Sequence, residues 1–232
     1  MLVYGKNVAL EYLENNKKIN KIYLSDKFSD NEIKNLINKK HINVKYMKKI
    51  DMDKKCSGLN QGIIMEVEDY KYASLDTILD KEDSLIVMLD HIEDPHNFGA
   101  IIRTCEAAGV DGIIIPNDRS VEVNSTVIKT SVGTTEKVNI IRVTNLVNTI
   151  NELKKHGFWI FGTDMNGEDY TKLNYKGKTC IICGNEGSGM SNLVYKNCDF
   201  IASIPMNGSV NSLNASVATG IILFKAIDYR RK

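Results

Sequence analysis

Short apolar runs alternate with helical patterns through the last two-thirds of the chain, and this alternation constrains the fold more than any other feature. After Asp83 the apolar runs are SLIVML, GIII, KVNII, FWIFG, TCIIC and DFIASI. Helices are predicted over residues 99–108, 124–130, 146–155 and 214–226. Strands that are apolar on both faces and separated by helices form a parallel sheet covered on both sides. The sequence therefore predicts an α/β domain whose ligand-binding loops leave the carboxyl ends of the strands.

The front of the chain predicts a separate, smaller α/β unit. A helical pattern over residues 5–14 precedes the strand KIYL, a helix over 31–39 that Asp30 can cap, and strands over 43–46 and 62–67. The acidic stretch that follows, with one helical turn over 74–79, is typical of an interdomain connector. We expect a first domain over residues 1–67, a linker over 68–82 and a second domain over 83–232.

Charge is distributed unevenly along the chain. Residues 1–66 contain 13 Lys, no Arg and 8 acidic residues, a net charge of +5, whereas the whole chain carries +1. A basic front favours contact with a polyanion such as nucleic acid, although lysine-rich surfaces also serve solubility alone.

The chain shows neither a signal-peptide pattern nor an apolar run near the roughly 18 residues that a membrane span needs. We therefore expect a cytoplasmic protein with no membrane partner. The five cysteines favour reduced thiols over a disulfide framework.

Three loops at the expected carboxyl ends carry unusual polar residues. The first is DHIEDPHNFGAIIR, over residues 90–103. Asn97 and Gly99 would open a helix whose free N–H groups favour an anion, and Arg103, one turn further in, could bind a phosphate through two nitrogens. The alternative is a capped helix with a surface arginine.

The second loop is ICGNEGSGMS, over residues 182–191, and the third is IPMNGSVNSLNAS, over 204–216. Gly184, Gly187 and Gly189 permit positive φ and a close approach of backbone to a ligand. The run matches neither a P-loop nor the GxGxxG fingerprint, so kinase and dehydrogenase readings lose support. In the third loop Ser212 and Asn214 precede a helix, which they could simply cap.

Taken together, the three loops resemble the motifs of the SpoU/TrmH family of RNA ribose 2′-O-methyltransferases, in the family's order and spacing, over residues 85–226. The front, with GKNVALEYLE and QGI, resembles the small substrate-binding domain, of the ribosomal protein L30e type, in members that methylate guanosine in 23S rRNA. Two departures are visible. Asn60 stands where such members have His before Gln61 and Gly62, and Ala215 stands where the family has Val.

The resemblance implies a deep trefoil knot in the second domain, a homodimer through that domain, structured RNA as substrate, and S-adenosylmethionine as methyl donor without a metal. The residues that it implies for cofactor binding are Thr163, Gly184, Ile204, Met206 and Leu213. Those that it implies for the chemical step are Arg103, Asn97, Glu186, Ser212 and Asn214.

The resemblance also suggests a role for each of these residues. Arg103 would bind the substrate phosphate and help to polarise the hydroxyl, since a guanidinium with a pKa above about 12 is a poor base. Direct deprotonation by Arg103 stays open. Glu186 and Asn97 would orient it, while Ser212 and Asn214 would position the ribose or the helix start.

Other candidates for chemistry are weaker. Cys180 and Cys183 have CxxC spacing, but on a strand their side chains point to opposite faces, and no second pair follows at zinc spacing. His91 and His96 lie in the first loop, where solvated or capping roles are more common than catalysis. The competing functions are a tRNA ribose 2′-O-methyltransferase and a noncatalytic RNA-binding or ribosome-assembly factor.

Overall fold

The computed structural model describes residues 1–56, 58–210 and 212–231. The elements follow one another as β1 (Leu2–Tyr4), α1 (Lys6–Glu14), β2 (Ile19–Ser25), α2 (Asn31–Lys39), β3 (Val44–Met47), α3 (Lys49–Lys55), β4 (Ile63–Val67), α4 (Asp76–Leu79), β5 (Leu85–Asp90), α5 (Pro95–Ala108), β6 (Gly112–Pro116), α6 (Ser125–Thr130), β7 (Asn139–Val143), α7 (Leu146–Lys155), β8 (Trp159–Asp169), β9 (Thr179–Gly184), α8 (Asn192–Lys196), β10 (Phe200–Ser203) and α9 (Ala215–Arg230).

The chain divides into two compact units, and the first is not one continuous stretch. It comprises Met1–Lys71 together with Glu122–Thr135, while the second comprises Tyr72–Val121 and Glu136–Lys232. The chain therefore passes between the units three times. The expected linker spans the first crossing, and α4 buries Ile78 and Leu79 in the core of the second unit. Which segment folds on its own stays a prediction.

A four-stranded sheet in the order β1-β4-β2-β3 forms the first unit. Only the β2–β3 pair is parallel. As predicted, Asp30 caps α2 by accepting a hydrogen bond from the Ile33 N–H at 3.3 Å. Helix α6 contacts β1 and α1 and buries Val127 and Ile128. A helix that lies between two strands of the larger sheet in sequence thus belongs to the smaller unit.

The side chain of Asn60, one of the two departures from the family pattern, holds the turn before β4. Its Nδ2 donates to Asp53 Oδ1 at 2.9 Å, and its Oδ1 accepts from the Gly62 N–H at 2.9 Å. Only 5% of Asn60 is exposed. In this chain the residue before Gln61 and Gly62 therefore stabilises the turn.

The second unit contains a six-stranded sheet in which every strand pair is parallel, in the order β10-β8-β9-β5-β6-β7. One face packs against α4, α7 and α8, and the other is covered by α5 and α9. The predicted sheet with helices on both faces is thereby confirmed. Strand β8 runs beyond FWIFG to Asp169 because it pairs with β10 past an irregularity between Ile201 and Ala202.

Candidate active site

A cavity of ≈ 780 Å³ opens at the carboxyl ends of β9 and β10, beside the middle of β8. Its walls are residues 163–165, residues 183–189, the loop after β10, and the first turns of α9. All the residues expected to hold the cofactor line it: Thr163, Gly184, Ile204, Met206 and Leu213. Glu186 and Ser212 line it too. The structure thus brings part of β8 and the second and third loops around one cavity, which the first loop does not line. Asn211 in the third loop lies outside the described residues.

The glycine-rich wall of the cavity is a tight hairpin. Asn185 and Gly189 exchange two backbone hydrogen bonds, of 3.0 and 2.9 Å. A Cβ on Gly184 would lie 2.4 Å from backbone atoms of Gly189 and Met190, so this position excludes larger residues. Of the three glycines expected to permit positive φ, only Gly189 adopts it, at +67°. Gly184 is therefore required for close backbone approach and Gly189 for the turn.

A chain of side-chain hydrogen bonds runs beside the cavity. Asn214 Nδ2 donates to Asn97 Oδ1 at 2.9 Å, and Asn97 Nδ2 donates to Glu186 Oε1 at 2.6 Å. Asn214 Oδ1 also accepts from the Ser216 N–H at 3.0 Å, which caps α9. Asn97, at 8% exposure, is buried between the two partners. The predicted residues Asn97, Glu186 and Asn214 therefore form one connected group that links all three loops.

The start of α5 differs from the prediction and changes the setting of Arg103. The helix begins at Pro95, and Asp94 caps it by accepting from the His96 N–H at 2.9 Å. Asn97 and Gly99 thus lie inside the helix, and Arg103 lies more than two turns from its start. Arg103 and the helix N-terminus therefore do not form one anion site, and the structure matches the alternative of a capped helix with an exposed arginine.

Arg103 is exposed and does not line the cavity. No described residue forms a hydrogen bond or an ion pair with its guanidinium. Of the residues expected to act in the chemical step, Arg103 and Ser212 both lie outside the connected group, but Ser212 lines the cavity and Arg103 does not. Its charge is available to an external anion.

The two cysteines of the CxxC pair have different surroundings. Cys180 belongs to the core on the α7 side of the sheet, whereas Cys183 accepts a hydrogen bond from Thr219 Oγ1 of α9 at 3.0 Å and lines the cavity. Burial raises the pKa of Cys183 to about 11, against the opposing hydrogen bonds of Thr219 and Thr163. Within the described residues, no three His, Cys, Asp or Glu side chains are grouped to hold a metal ion.

Two residues that organise this region were missed from the sequence. Asn185 Oδ1 accepts from the Gly187 N–H at 2.9 Å, and Asn185 Nδ2 donates to the His91 carbonyl at 2.8 Å. Asp90, at 1% exposure, accepts from the Ser191 N–H at 2.6 Å. An Asn that opens a glycine-rich turn, and an acidic residue that ends an apolar strand, were the available signals.

Comparison with known proteins gives the same family for both parts of the chain. The model of the SpoU rRNA methylase family matches residues 84–224, and a model for RNA 2′-O ribose methyltransferase substrate binding matches residues 2–73. The helices of the described residues include none long and apolar enough to cross a membrane.

Full-length relatives carry the family name. YacO of Bacillus subtilis (strain 168), named for the TrmH family of tRNA/rRNA methyltransferases, is 37% identical over 239 residues, which cover 99% of this chain and 95% of YacO. A protein of Staphylococcus saprophyticus with the same family name is 40% identical, over 99% of this chain and 96% of that protein.

Solved structures agree with the sequence relatives. The SpoU methyltransferase AviRb from Streptomyces viridochromogenes, in complex with AdoMet, superposes with a TM-score of 0.84 at 26% identity, over 98% of this chain and 89% of AviRb. An AdoMet-bound rRNA methyltransferase from Sinorhizobium meliloti gives 0.81 at 26% identity, over 98% and 87%. The chain belongs to the SpoU family of RNA methyltransferases.

Proposed function

We propose that this protein transfers the methyl group of S-adenosylmethionine to a ribose 2′-hydroxyl of structured RNA, and that the target is a guanosine of 23S rRNA. The observation that carries the proposal is the cavity of ≈ 780 Å³ beside the hydrogen-bonded group of Asn97, Glu186 and Asn214. A small-molecule cavity thereby adjoins a set of fixed polar groups.

The cavity has the size and chemistry to hold the cofactor. Ligand pockets measure about 300–1,000 Å³ and combine apolar walls with a few polar groups. Here Leu213 and Ile222 supply apolar surface, and Thr163 adds a hydroxyl. Gly184 lets the hairpin wall close, because a side chain there would collide with the backbone of Gly189 and Met190. The cofactor supplies a methyl group already activated on a sulfonium.

The protein's own residues orient the ribose and help the hydroxyl to lose its proton. Arg103, exposed and without a described partner, binds a substrate phosphate, and its positive charge favours the ionised hydroxyl. Arg103 acting directly as the base is the less favourable alternative, because its pKa exceeds about 12. Glu186 is held by Asn97, and Ser212 faces the cavity, where its hydroxyl can meet the ribose.

RNA affinity comes mainly from the first unit. Lys45, Lys48 and Lys49 are exposed around β3 and the start of α3, and Tyr46 between them is 63% exposed. Lysines that contact phosphates, interleaved with an aromatic ring on which a base can stack, are the usual elements of an RNA-binding surface.

The second unit contains the trefoil knot of its family, and the protein works in the cytoplasm. The second unit also forms a homodimer through α9. Val217 and Phe224, at 50% and 51% exposure, lie on one side of α9 with the partly buried Ile221 between them. An apolar stripe at this spacing is what a helix presents to a partner. Sedimentation of the protein with and without Phe224→Glu tests the dimer.

Mapping of 2′-O-methyl groups at nucleotide resolution, in RNA from cells with and without the protein, tests the target. Loss of one methyl from a guanosine of 23S rRNA is the expected result. Loss from a tRNA would move the assignment to tRNA, and a methyl on a base would overturn the chemistry. If the methylation of the RNA is unchanged and the purified protein methylates no RNA, the protein is a noncatalytic RNA-binding factor.

A further inference from the structure

A second cavity, of ≈ 480 Å³, lies on the other side of the glycine hairpin, and the proposed methyl transfer does not use it. It is formed where β9, β5 and β6 end: Asn185 follows β9, Asp90 ends β5, and Arg119 follows β6. The strand order reverses between β5 and β9, since β6 and β7 extend the sheet one way and β8 and β10 the other. Crevices at such reversals are where open parallel sheets bind ligands.

A hydrogen-bonded Asp–His pair, in which Asp90 is buried and His91 is partly exposed, fixes one wall of this second cavity. His91 Nδ1 lies 2.5 Å from Asp90 Oδ1, and the other oxygen of Asp90 accepts from the Ser191 N–H. The His91 carbonyl accepts from Asn185 Nδ2. Two contacts thus hold His91, and a third holds its partner Asp90. Within the described residues, Nε2 of the His91 ring has no hydrogen-bond partner.

Two residues of this cavity hold a backbone conformation that side chains rarely adopt. His91 has φ of +61° and Arg119 has φ of +48°. The Arg119 segment is held in place because Ser120 Oγ and the Val121 N–H both donate to the Ile92 carbonyl, at 3.3 and 2.9 Å. Such conformations persist where surrounding contacts enforce them, and they cluster at binding sites.

The charges of the cavity select among ligand classes. The exposed guanidinium of Arg119 and the exposed carboxylate of Glu93 both line it. A simple anion would be repelled by Glu93 and a simple cation by Arg119. A nucleotide satisfies both groups, because its phosphate accepts from arginine while the N–H groups of its base and the hydroxyls of its ribose donate to a carboxylate.

We propose that this second cavity binds one nucleotide of the substrate RNA, a neighbour of the methylated residue, with its phosphate on Arg119 and its base or ribose against His91 and Glu93. The inference rests on the proposed function. Its geometric support is the shared wall: Asn185, Ser188 and Gly189 line both cavities. A nucleotide here is separated from the methyl-donor cavity by a single hairpin.

Substitution by asparagine at Arg119 and at His91 tests the site kinetically. Asparagine is chosen because it tolerates the positive φ of these two positions better than most residues do. Arg119→Asn and His91→Asn are compared with wild type, and Arg231→Asn, at an exposed arginine outside both cavities, is the control. We expect KM for RNA to rise roughly tenfold with Arg119→Asn, the scale of one charge-assisted hydrogen bond. Cofactor affinity and the single-turnover rate at saturating RNA should stay within about twofold of wild type.

A KM unchanged by both variants would overturn the proposal, as would a loss confined to cofactor affinity. The second measurement needs no catalysis: nucleoside 5′-monophosphates, up to about 10 mM as suits weak ligands, are titrated into the full chain while the His91 and Asn185 side-chain NMR signals are followed. We expect shifts that persist with saturating S-adenosylhomocysteine. Their absence, or their loss when S-adenosylhomocysteine is added, contradicts the second cavity alone, whereas a wild type that never methylates RNA contradicts the proposed function.

Discussion

Asn97 donates a hydrogen bond of 2.6 Å to the Glu186 carboxylate although 89 residues separate them in sequence. The same amide accepts from Asn214. In Asn97→Asp two carboxylates would face each other, and Glu186 would lose its donor. We expect a loss of about 2 kcal/mol in the free energy of unfolding, the scale of a lost hydrogen bond to a charged group. Urea unfolding measures it. Asn148→Asp, in the first turn of α7 where an acidic residue is favourable, is the control; equal effects at both positions would contradict the bridging role.

Arg103→Ala and Arg103→Lys should each lower the single-turnover methylation rate by about 100-fold or more, the scale of a lost electrostatic contributor. Lysine does not rescue because it offers a point charge instead of a planar fork. Cofactor affinity should stay near wild type, since Arg103 lies outside the cavity. Calorimetry measures the affinity for the cofactor, and single-turnover assays measure the methylation rate. Weaker cofactor binding with a normal rate at saturating cofactor would show that Arg103 has another role.

Gly184→Ala should abolish cofactor binding, because the added Cβ would lie 2.4 Å from the backbone of Gly189 and Met190 and displace the hairpin. Gly208→Ala is the matched control in the same cavity, since a Cβ there meets nothing within 4 Å. Calorimetric titration with S-adenosylmethionine compares them. If Gly184→Ala binds as well as Gly208→Ala, the hairpin is not part of the cofactor site.

The double variant Lys48→Glu, Lys49→Glu should weaken RNA binding and flatten its salt dependence by about 0.7–0.9 per lost phosphate contact. The fold should tolerate it, because acidic residues are favourable at the start of a helix such as α3. Lys27→Glu, Lys39→Glu changes the net charge of the same unit equally at two other exposed lysines. Binding assays over a range of salt concentrations distinguish a local surface from overall charge; equal losses would exclude the β3–α3 surface.

Raising the pH from about 9 to 11 should lower the free energy of unfolding, and Cys183 should account for part of the loss. Burial raises the pKa of Cys183 from 9.0 to about 11, so the unfolded chain loses this proton at a lower pH than the folded protein does. Ionisation then favours the unfolded state, and the free energy of unfolding falls as the pH rises from about 9 to 11. The contribution is about 2–3 kcal/mol at most. Cys183→Ala should show a shallower decline, and Thr219 still donates to the Ala215 carbonyl in that variant. Identical declines would show that Cys183 titrates alike in both states.

Periodicity predicted the larger sheet well because its strands are buried on both faces. Strand β5 is fully buried and apolar up to its last residue, Asp90, and α7 begins and ends where the pattern places it. Helix α3 was missed because its one buried residue, Met52, leaves no apolar period to detect. The start of α5 was misplaced because Gly99 was read as the opening residue, although Asp94 followed by Pro95 is itself a start signal.

The candidate site was predictable only in outline. The carboxyl ends of parallel strands lie at one edge of the sheet, so the loops that follow these strands were expected to lie close together. The hydrogen bonds that join Asn97 to Glu186 and to Asn214 could not be derived, because each depends on rotamers and on loop paths fixed by distant contacts. The second cavity could not be predicted either, because Arg119 lies in a segment without a helical or strand pattern.

The two family models match residues 2–73 and 84–224, which suggests that the two parts of the chain could be exchanged at a single boundary. Helix α6 prevents such a simple exchange, because it belongs to the first unit. An exchange of the first unit with that of a relative has to transfer residues 1–71 and 122–135 together, because Val127 and Ile128 are buried in a helix that contacts β1 and α1. A chimera joined only at the first boundary would set a foreign sheet against a native helix. The first unit of this chain is thus encoded by two separate stretches of sequence, and a change in either one constrains the other.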